Sequence, residues 1–376
     1  MKNYLLFVLL IAPALLFSQE DSDLMYSGTR IQGESEVDST GKLFLSGYVD
    51  TYYALYSDKT VAGNFVKFPT AAPRNNQVGL NLLQLQARYG SEKVRGVASL
   101  FYGDIASSSW STDYNMIQEA NLGFRIKKGL WLDVGFFRTH IGLESIQPRE
   151  NIASSAAIPS YFEPYYLSGA KLTYELTEKL RFQFSLLNGY NTFVDRNRSK
   201  AFGLSGVYDF SARTSLVVNT LLCDESPDSL GYNQYRVFNN IYLTHKVNRL
   251  NIGAEFNFGF QQNSRLINSN ATAGMWSGII SAKYRLTKKT AVYGRGEAYQ
   301  DSDEILTGPV ENQYHELVGI NLIGATLGVE FNLIKNSYLR IESRVLQTTG
   351  AEAIFVLNGQ PSNRRYEGIA SFGVWF

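Results

Sequence analysis

Cysteine is almost absent from this chain of 376 residues; Cys223 stands alone, so neither an intramolecular disulfide framework nor a cysteine-built zinc site can form. Histidine is nearly as scarce, and His140, His245 and His315 lie far apart in sequence, leaving little material for a metal or catalytic centre. No metal or other cofactor is expected. Charge is thin at 18% of residues, against roughly 25% in an average globular domain. The 35 Lys+Arg offset the 34 Asp+Glu to a net charge of +1, which argues against a polyanion binder and so against a nucleic-acid partner. Glycine and aromatics are abundant, with 32 Gly, 24 Tyr and 23 Phe, the opposite of a disordered composition. The mean hydropathy of −0.16 is too low for a bundle of membrane helices. It suits a barrel whose strands alternate lipid-facing and water-facing residues.

Residues 1–18 combine Lys2 with an apolar run, Tyr4 to Ala12, broken by Pro13 and followed by Ser18 and Gln19. The run is shorter than the roughly 20 residues a spanning helix needs, and it fits a secretory signal peptide. Residues 19–42 are polar and acidic (Glu20, Asp21, Asp23, Glu34, Glu36, Asp38) and read as a short periplasmic extension ahead of a barrel over 43–376. Past the leader no apolar stretch reaches helical membrane length, so any span must be made of strands.

From Leu43 onward the hydrophobicity alternates with period two. In 250–261, Leu250, Ile252, Ala254, Phe256, Phe258 and Phe260 fall on one face, opposite Asn251, Gly253, Glu255, Asn257, Gly259 and Gln261. The pattern predicts sixteen strands, at 43–56, 77–89, 93–103, 115–127, 130–138, 164–176, 179–190, 199–210, 213–223, 233–247, 249–262, 274–286, 289–301, 314–331, 334–348 and 363–376. Their connections alternate strictly between tight joints such as Lys128-Gly129 and long segments such as 57–76 and 139–163. A soluble sandwich has no reason to sort its loops this way. An all-β, transmembrane, antiparallel up-and-down barrel in the outer membrane of a Gram-negative-type cell does, with short periplasmic turns, long outer loops and lipid around it.

Barrels of about sixteen strands leave an aqueous channel. Strand parity turns Arg88, Arg95, Arg125, Lys171, Arg181, Lys283, Arg285, Arg295, Arg340, Arg344 and Arg365 toward the lumen. Against them stand Asp50, Glu119, Asp133, Glu175, Glu255, Glu297, Glu342 and Glu367, a mild positive excess that would lean toward anions. The connection 139–163 is the longest, and in sixteen-stranded porins a loop at this position commonly folds inward. Here it carries Glu144, Arg149, Glu150 and Glu163 around the small run Ala153-Ser154-Ser155-Ala156-Ala157. The candidate pore-lining or constriction residues are therefore Asp50, Glu119, Asp133, Glu144, Arg149, Glu150, Lys171, Arg295, Glu297, Arg340, Glu342 and Arg344.

Certain segments resemble a known family. Gly135-Phe136-Phe137-Arg138-Thr139-His140-Ile141-Gly142-Leu143-Glu144, then Pro148 and Asn151, Glu163-Pro164-Tyr165-Tyr166-Leu167-Ser168-Gly169 and Leu187-Asn188-Gly189-Tyr190 are similar to the OmpL-like β-barrel porin family, as is Ser46-Gly47-Tyr48-Val49-Asp50 to its first strand. The resemblance implies an outer-membrane porin fold and says little about cargo. The alternating last strand ending on Phe376 resembles the signal by which barrel-assembly machinery recognises its clients. Homotrimers are common among porins, although no segment here marks one.

The expected function is passive diffusion of small hydrophilic solutes through a water-filled barrel narrowed by 139–163. The rival is a non-conducting barrel subunit of an outer-membrane export or assembly complex. No enzymatic activity is expected: His140 has Glu144 and Ser145 nearby in sequence, but proximity along the chain is not a triad.

Overall fold

The computed structural model describes residues 40–58, 63–350 and 352–376. The expected signal peptide, and the acidic extension up to residue 39, lie outside the described residues. Strands β1 (Thr40–Tyr56), β2 (Gln77–Ser91), β3 (Val94–Tyr102), β4 (Ile117–Lys127) and β5 (Leu130–Arg138) open the chain. Strands β6 (Tyr166–Glu175), β7 (Leu180–Leu187), β8 (Ala201–Ser211) and β9 (Thr214–Asp224) follow. Then come β10 (Tyr235–Val247), β11 (Leu250–Gln261), β12 (Ala273–Arg285) and β13 (Thr290–Asp301). A small hairpin, β14 (Val310–Glu311) with β15 (Leu317–Val318), precedes β16 (Ile320–Phe331) and β17 (Ser337–Thr348). A second, β18 (Phe355–Leu357) with β19 (Gln360–Ser362), precedes β20 (Arg364–Trp375). Short helices α1 (Asp104–Ser109) and α2 (Ile158–Phe162) sit in two of the long loops.

Among the described residues, sixteen strands form one closed antiparallel barrel, and two small two-stranded hairpins lie outside it. Closure is completed where β1 pairs with β20 from Tyr48↔Trp375 to Tyr56↔Glu367. Beyond the last pair, Gly47 N–H donates to the Phe376 carbonyl at 3.2 Å and Phe376 N–H to the Gly47 carbonyl at 3.1 Å. Each expected strand is present. The fourteenth begins at Ile320 rather than 314, because Val310↔Val318 and Glu311↔Leu317 pair separately. The Asn312 side-chain oxygen accepts from the N–H groups of Tyr314 and Glu316 and fixes that hairpin's turn. Among the described residues no helix is long and apolar enough to cross a membrane; the strands do the crossing.

The expected alternation appears as burial. On β11, Phe256 and Phe260 are exposed to the outside while Glu255 and Asn257 are buried inside. On β17, Ile341 faces out and Tyr338, Arg340, Glu342 and Arg344 face in. Arg125, Glu175 and Arg285, placed in the lumen by parity, are exposed at the short-turn rim instead, since parity fixes a face but not a height.

The interior is layered. Toward the long-loop end, Leu187, Leu221, Phe238, Met275, Leu322 and Leu346 from the wall meet Phe68, Ile305, Ile354 and Phe355 from the loops in an apolar cap. Cys223 is buried in that cap. Below it the inward residues are mostly polar, with a small apolar group of Val207 and Val217 among them. Three inward tyrosines lie over a glycine opposite on the next strand: Tyr52 over Gly79, Tyr293 over Gly328 and Tyr338 over Gly373. The bare glycine gives each ring a bed on the wall.

A Cβ at Gly328 would collide with the Tyr293 ring. Gly328→Val should therefore lower stability by about 1–3 kcal/mol through overpacking. A urea-unfolding midpoint, read from the heat-modifiable gel shift of the folded barrel, checks this; an unchanged midpoint would remove the ring-over-glycine pairing from the account.

Candidate functional site

The loop between β5 and β6, residues 139–165, leaves the wall and meets strands on the far side of the barrel. A loop carries backbone N–H and C=O groups that no ladder satisfies, and these need partners once away from water. The far wall supplies them from charged side chains. Arg340, on β17, donates to the carbonyls of Pro148 at 2.8 Å, Asn151 at 3.0 Å and Ala153 at 3.2 Å, while its Nε holds Glu330 of β16 at 2.7 Å. Two positions along, the Glu342 carboxylate accepts from the N–H groups of Ser154 at 2.7 Å and Ser155 at 3.2 Å. Ser154 Oγ also pairs with Ser371 Oγ of β20 at 2.7 Å.

On β13, Arg295 bridges Glu144 at 2.8 Å and the Ser155 carbonyl at 2.6 Å. Glu297 accepts from the N–H of Ile158, at the start of α2, at 2.6 Å, and is held on its other side by Arg344 at 2.7 Å. Glu144 Oε2 in turn accepts the Ala157 N–H at 2.8 Å. Closer to the loop's root, Arg149 stacks its guanidinium 4.9 Å from the Tyr48 ring and donates its backbone N–H to Tyr48 Oη at 3.1 Å. Asp50 sits behind that tyrosine, accepting from Tyr338, Tyr48 and Asn81.

Of the remaining expected residues, Glu119, Asp133 and Lys171 lie on the near wall and Glu150 reaches it from the loop. Glu150 pairs with Arg138 at 2.8 Å, and Arg138 also reaches Glu119 at 3.5 Å. Burial opposes ionisation of Glu150, but Arg138 and Arg149 outweigh it and hold the carboxyl below its ordinary value. Asp133 takes a two-pronged grip from Arg95 at 2.7 and 2.5 Å. Lys171 rests 4.5 Å over the Phe137 ring. Eight of the expected residues, Asp50, Glu144, Arg149, Arg295, Glu297, Arg340, Glu342 and Arg344, thus join the loop-to-far-wall network, and Glu119, Asp133, Glu150 and Lys171 form a separate set near β3–β6.

His140 does not build a catalytic group. Its Nε2 has no hydrogen-bond partner, and burial and then Lys171 push its pKa down to about 3. Ser145 Oγ accepts instead from Gln147 N–H and Arg138. Among the described residues no cluster of His, Cys, Asp and Glu is arranged to hold a metal ion.

With this geometry in view, the sequence profile described as beta-barrel porin-2, OmpL-like, matches residues 42–376. The chain belongs to the OmpL-like β-barrel porin family. This porin resembles the outer-membrane channel DcaP of Acinetobacter baumannii, at 12% identity and a TM-score of 0.61 over 91% of this chain and 99% of that one. It also resembles in-vitro folded OmpT, an outer membrane protein of Vibrio cholerae, at 10% identity and a TM-score of 0.59, covering 91% and 100%. OmpF of Salmonella typhi, solved with daunomycin, gives 10% identity and a TM-score of 0.58, covering 90% and 98%. At such identities these likenesses carry the fold alone. No curated protein matches the chain.

Charge counting passes over a second fastening. In this porin, three buried asparagines on consecutive strands form a ladder: Asn219 donates to Asn240 at 2.8 Å and Asn240 to Asn257 at 2.6 Å. The ladder starts at Ser205 of β8 and delivers the Asn257 amide to Glu163 of the loop at 2.6 Å. The recurrence of Asn at inward parity on β9, β10 and β11 was the available signal. Glu330 was also missed, because its partners Arg340 and Lys283 come from different strands.

Arg340→Ala should leave Glu330 with Lys283 as its partner and strand three loop carbonyls in a dry site, at a cost of about 3–5 kcal/mol. Arg340→Lys should recover only part, since a point charge cannot serve four acceptors at once. Urea midpoints of the two variants against wild type test this; an alanine variant as stable as wild type would refute the fastening role.

Proposed function

We propose that this porin lets small hydrophilic solutes diffuse down their own gradients across the outer membrane, with the 139–165 loop narrowing the path and its pore-lining charges drawn from the residues above. The observation that carries this reading is the fastening of the loop to β13, β17 and β20 by Arg295, Glu297, Arg340, Glu342 and Ser371. A loop so held in the barrel sets a size limit, with its small run, Ala153 to Ala157, packed close against the wall. Passage also requires the cap of Phe68, Ile354 and Phe355 to part.

The positive excess of the inward charges supports at most a weak anion preference. Arg95, Arg295, Arg340, Arg344 and Arg365 all have carboxylate partners within 4 Å, and a paired charge projects little field. Phe376, exposed on the outer face, remains available as the recognition end for barrel assembly.

One observation favours a second reading. Arg295, Arg340, Glu342 and Arg344 are all nearly fully buried, more so than a wide water-filled lumen would leave them. That density suits a non-conducting subunit of a larger outer-membrane complex. Planar-bilayer recording separates the two. Stable open steps that grow when Arg295→Ala and Glu342→Gln loosen the loop, with reversal potentials slightly toward the anion, support the porin reading. Silent but folded wild-type barrels, silent also after both substitutions, would favour the subunit.

A further inference from the structure

The two ends of the loop touch β10 and β11 at one place. Gly142 N–H donates to Asn240 Oδ1 at 3.2 Å, Leu143 N–H donates to Glu255 Oε2, and Glu163 returns to the same spot through Asn257. Glu163 and Glu255 meet there: the single Asn257 amide nitrogen serves both carboxyls, Glu163 Oε1 at 2.6 Å and Glu255 Oε1 at 3.0 Å. Both are buried, at 4% and 6% exposure. Glu163 Oε2 also packs against Gly142, where a Cβ would collide with it. Two adjacent buried carboxyls hold together when they share a proton and repel when both are ionised.

The surrounding groups do not relieve that repulsion. From the loop itself, Glu144 adds a further negative charge and Tyr165 a neutral phenol. From β13, Tyr299 faces Glu163, and Arg295 is already committed to Glu144 and Glu297. From the next long loop comes Tyr190, from β12 Ser277, and from β10 Asn240 and the phenol of Tyr242, which stands directly opposite Glu255. We infer that Glu163 and Glu255 form a proton-held clip: while they share a proton the root of the 139–165 loop is fastened to β11, and loss of that proton in alkaline medium frees the root and opens the passage.

The direction follows from the chemistry of a buried acid. Burial first, and Glu255 next, hold the Glu163 carboxyl well above the ordinary carboxylate range. A carboxyl raised in the folded state contributes its full fastening below the ordinary range and loses it as pH rises through the raised value. The clip therefore releases on the alkaline side. That passage widens as a result rests on the loop being the constriction, as proposed above.

The test uses the full mature barrel in two assays across about pH 5 to about pH 9, a window that brackets a strongly raised carboxyl. Bilayer conductance reads the passage. Tryptic cleavage after Arg149, in the loop, normalised to cleavage after the exposed Arg198, reads the seating of the loop independently of conduction. In wild type both signals should rise by about threefold or more toward alkaline pH. Glu163→Gln and Glu255→Gln each remove the second ionisation and should give flat profiles in both assays, at the low-pH level. If either glutamine variant folds poorly by gel shift, the other carries the comparison. A wild type flat in cleavage, or variants that keep its pH response, would overturn the clip. Cleavage that rises while conductance stays flat would uphold the clip and overturn the constriction reading instead.

Discussion

Hydrocarbon offers a peptide group nothing to bond with, and that constraint shapes this molecule from the outside in. A chain crossing lipid as strands must close on itself, which β20 does by pairing with β1 along nine residue pairs. Closure gives every strand a dry outer face and an inner face turned to a confined space. Period-two alternation then sends apolar side chains out and polar ones in. The polar ones cannot all reach bulk water, so they must find one another or find other backbone to bind.

The 139–165 loop is the other half of that bargain. Thrown across the interior with little regular structure beyond the short helix α2, it brings unsatisfied carbonyls and N–H groups to a wall rich in guanidinium and carboxylate groups. Arg340 takes up three carbonyls, Glu342 two N–H groups, and Glu297 the first N–H of α2. Charge-assisted bonds of this kind are roughly twice as strong as neutral ones. The wall charges thus act chiefly as fasteners, and the field they leave for a solute is that of near-neutral pairs.

The strands were legible because their signal is local: lipid on one side and polar surroundings on the other impress alternation on each segment by itself. Leu250 to Gln261 announces its two faces without help from any neighbour. The alternation of short and long connections likewise survives in one dimension. The resemblance carried by residues 135–144 and 163–169 led to the same family as the profile that matches residues 42–376. The site was legible only in composition. Parity placed Arg295, Arg340 and Arg344 inside, yet Arg295 and Arg340 bind backbone atoms of a loop about 140 to 190 positions away, as with Arg340 and Pro148, and Arg344 binds Glu297 and Glu367. Nothing in sequence marks a carbonyl as the acceptor of a particular arginine. The asparagine ladder escaped for a different reason, since neutral amides leave no trace in a charge count.

The central claim is that the loop lies inside the barrel against β17 and β20, and a crosslink tests it directly. Ser154 Oγ and Ser371 Oγ stand 2.7 Å apart, so cysteines at both positions, in a Cys223→Ala background, fall within reach of a disulfide. Mild oxidation of Ser154→Cys/Ser371→Cys barrels in native outer membranes should join the two in nearly all copies, and neither thiol should then react with a bulky impermeant maleimide. If the thiol introduced in place of Ser154 stays reduced and labels freely from the medium, the loop lies outside the barrel and the account is contradicted.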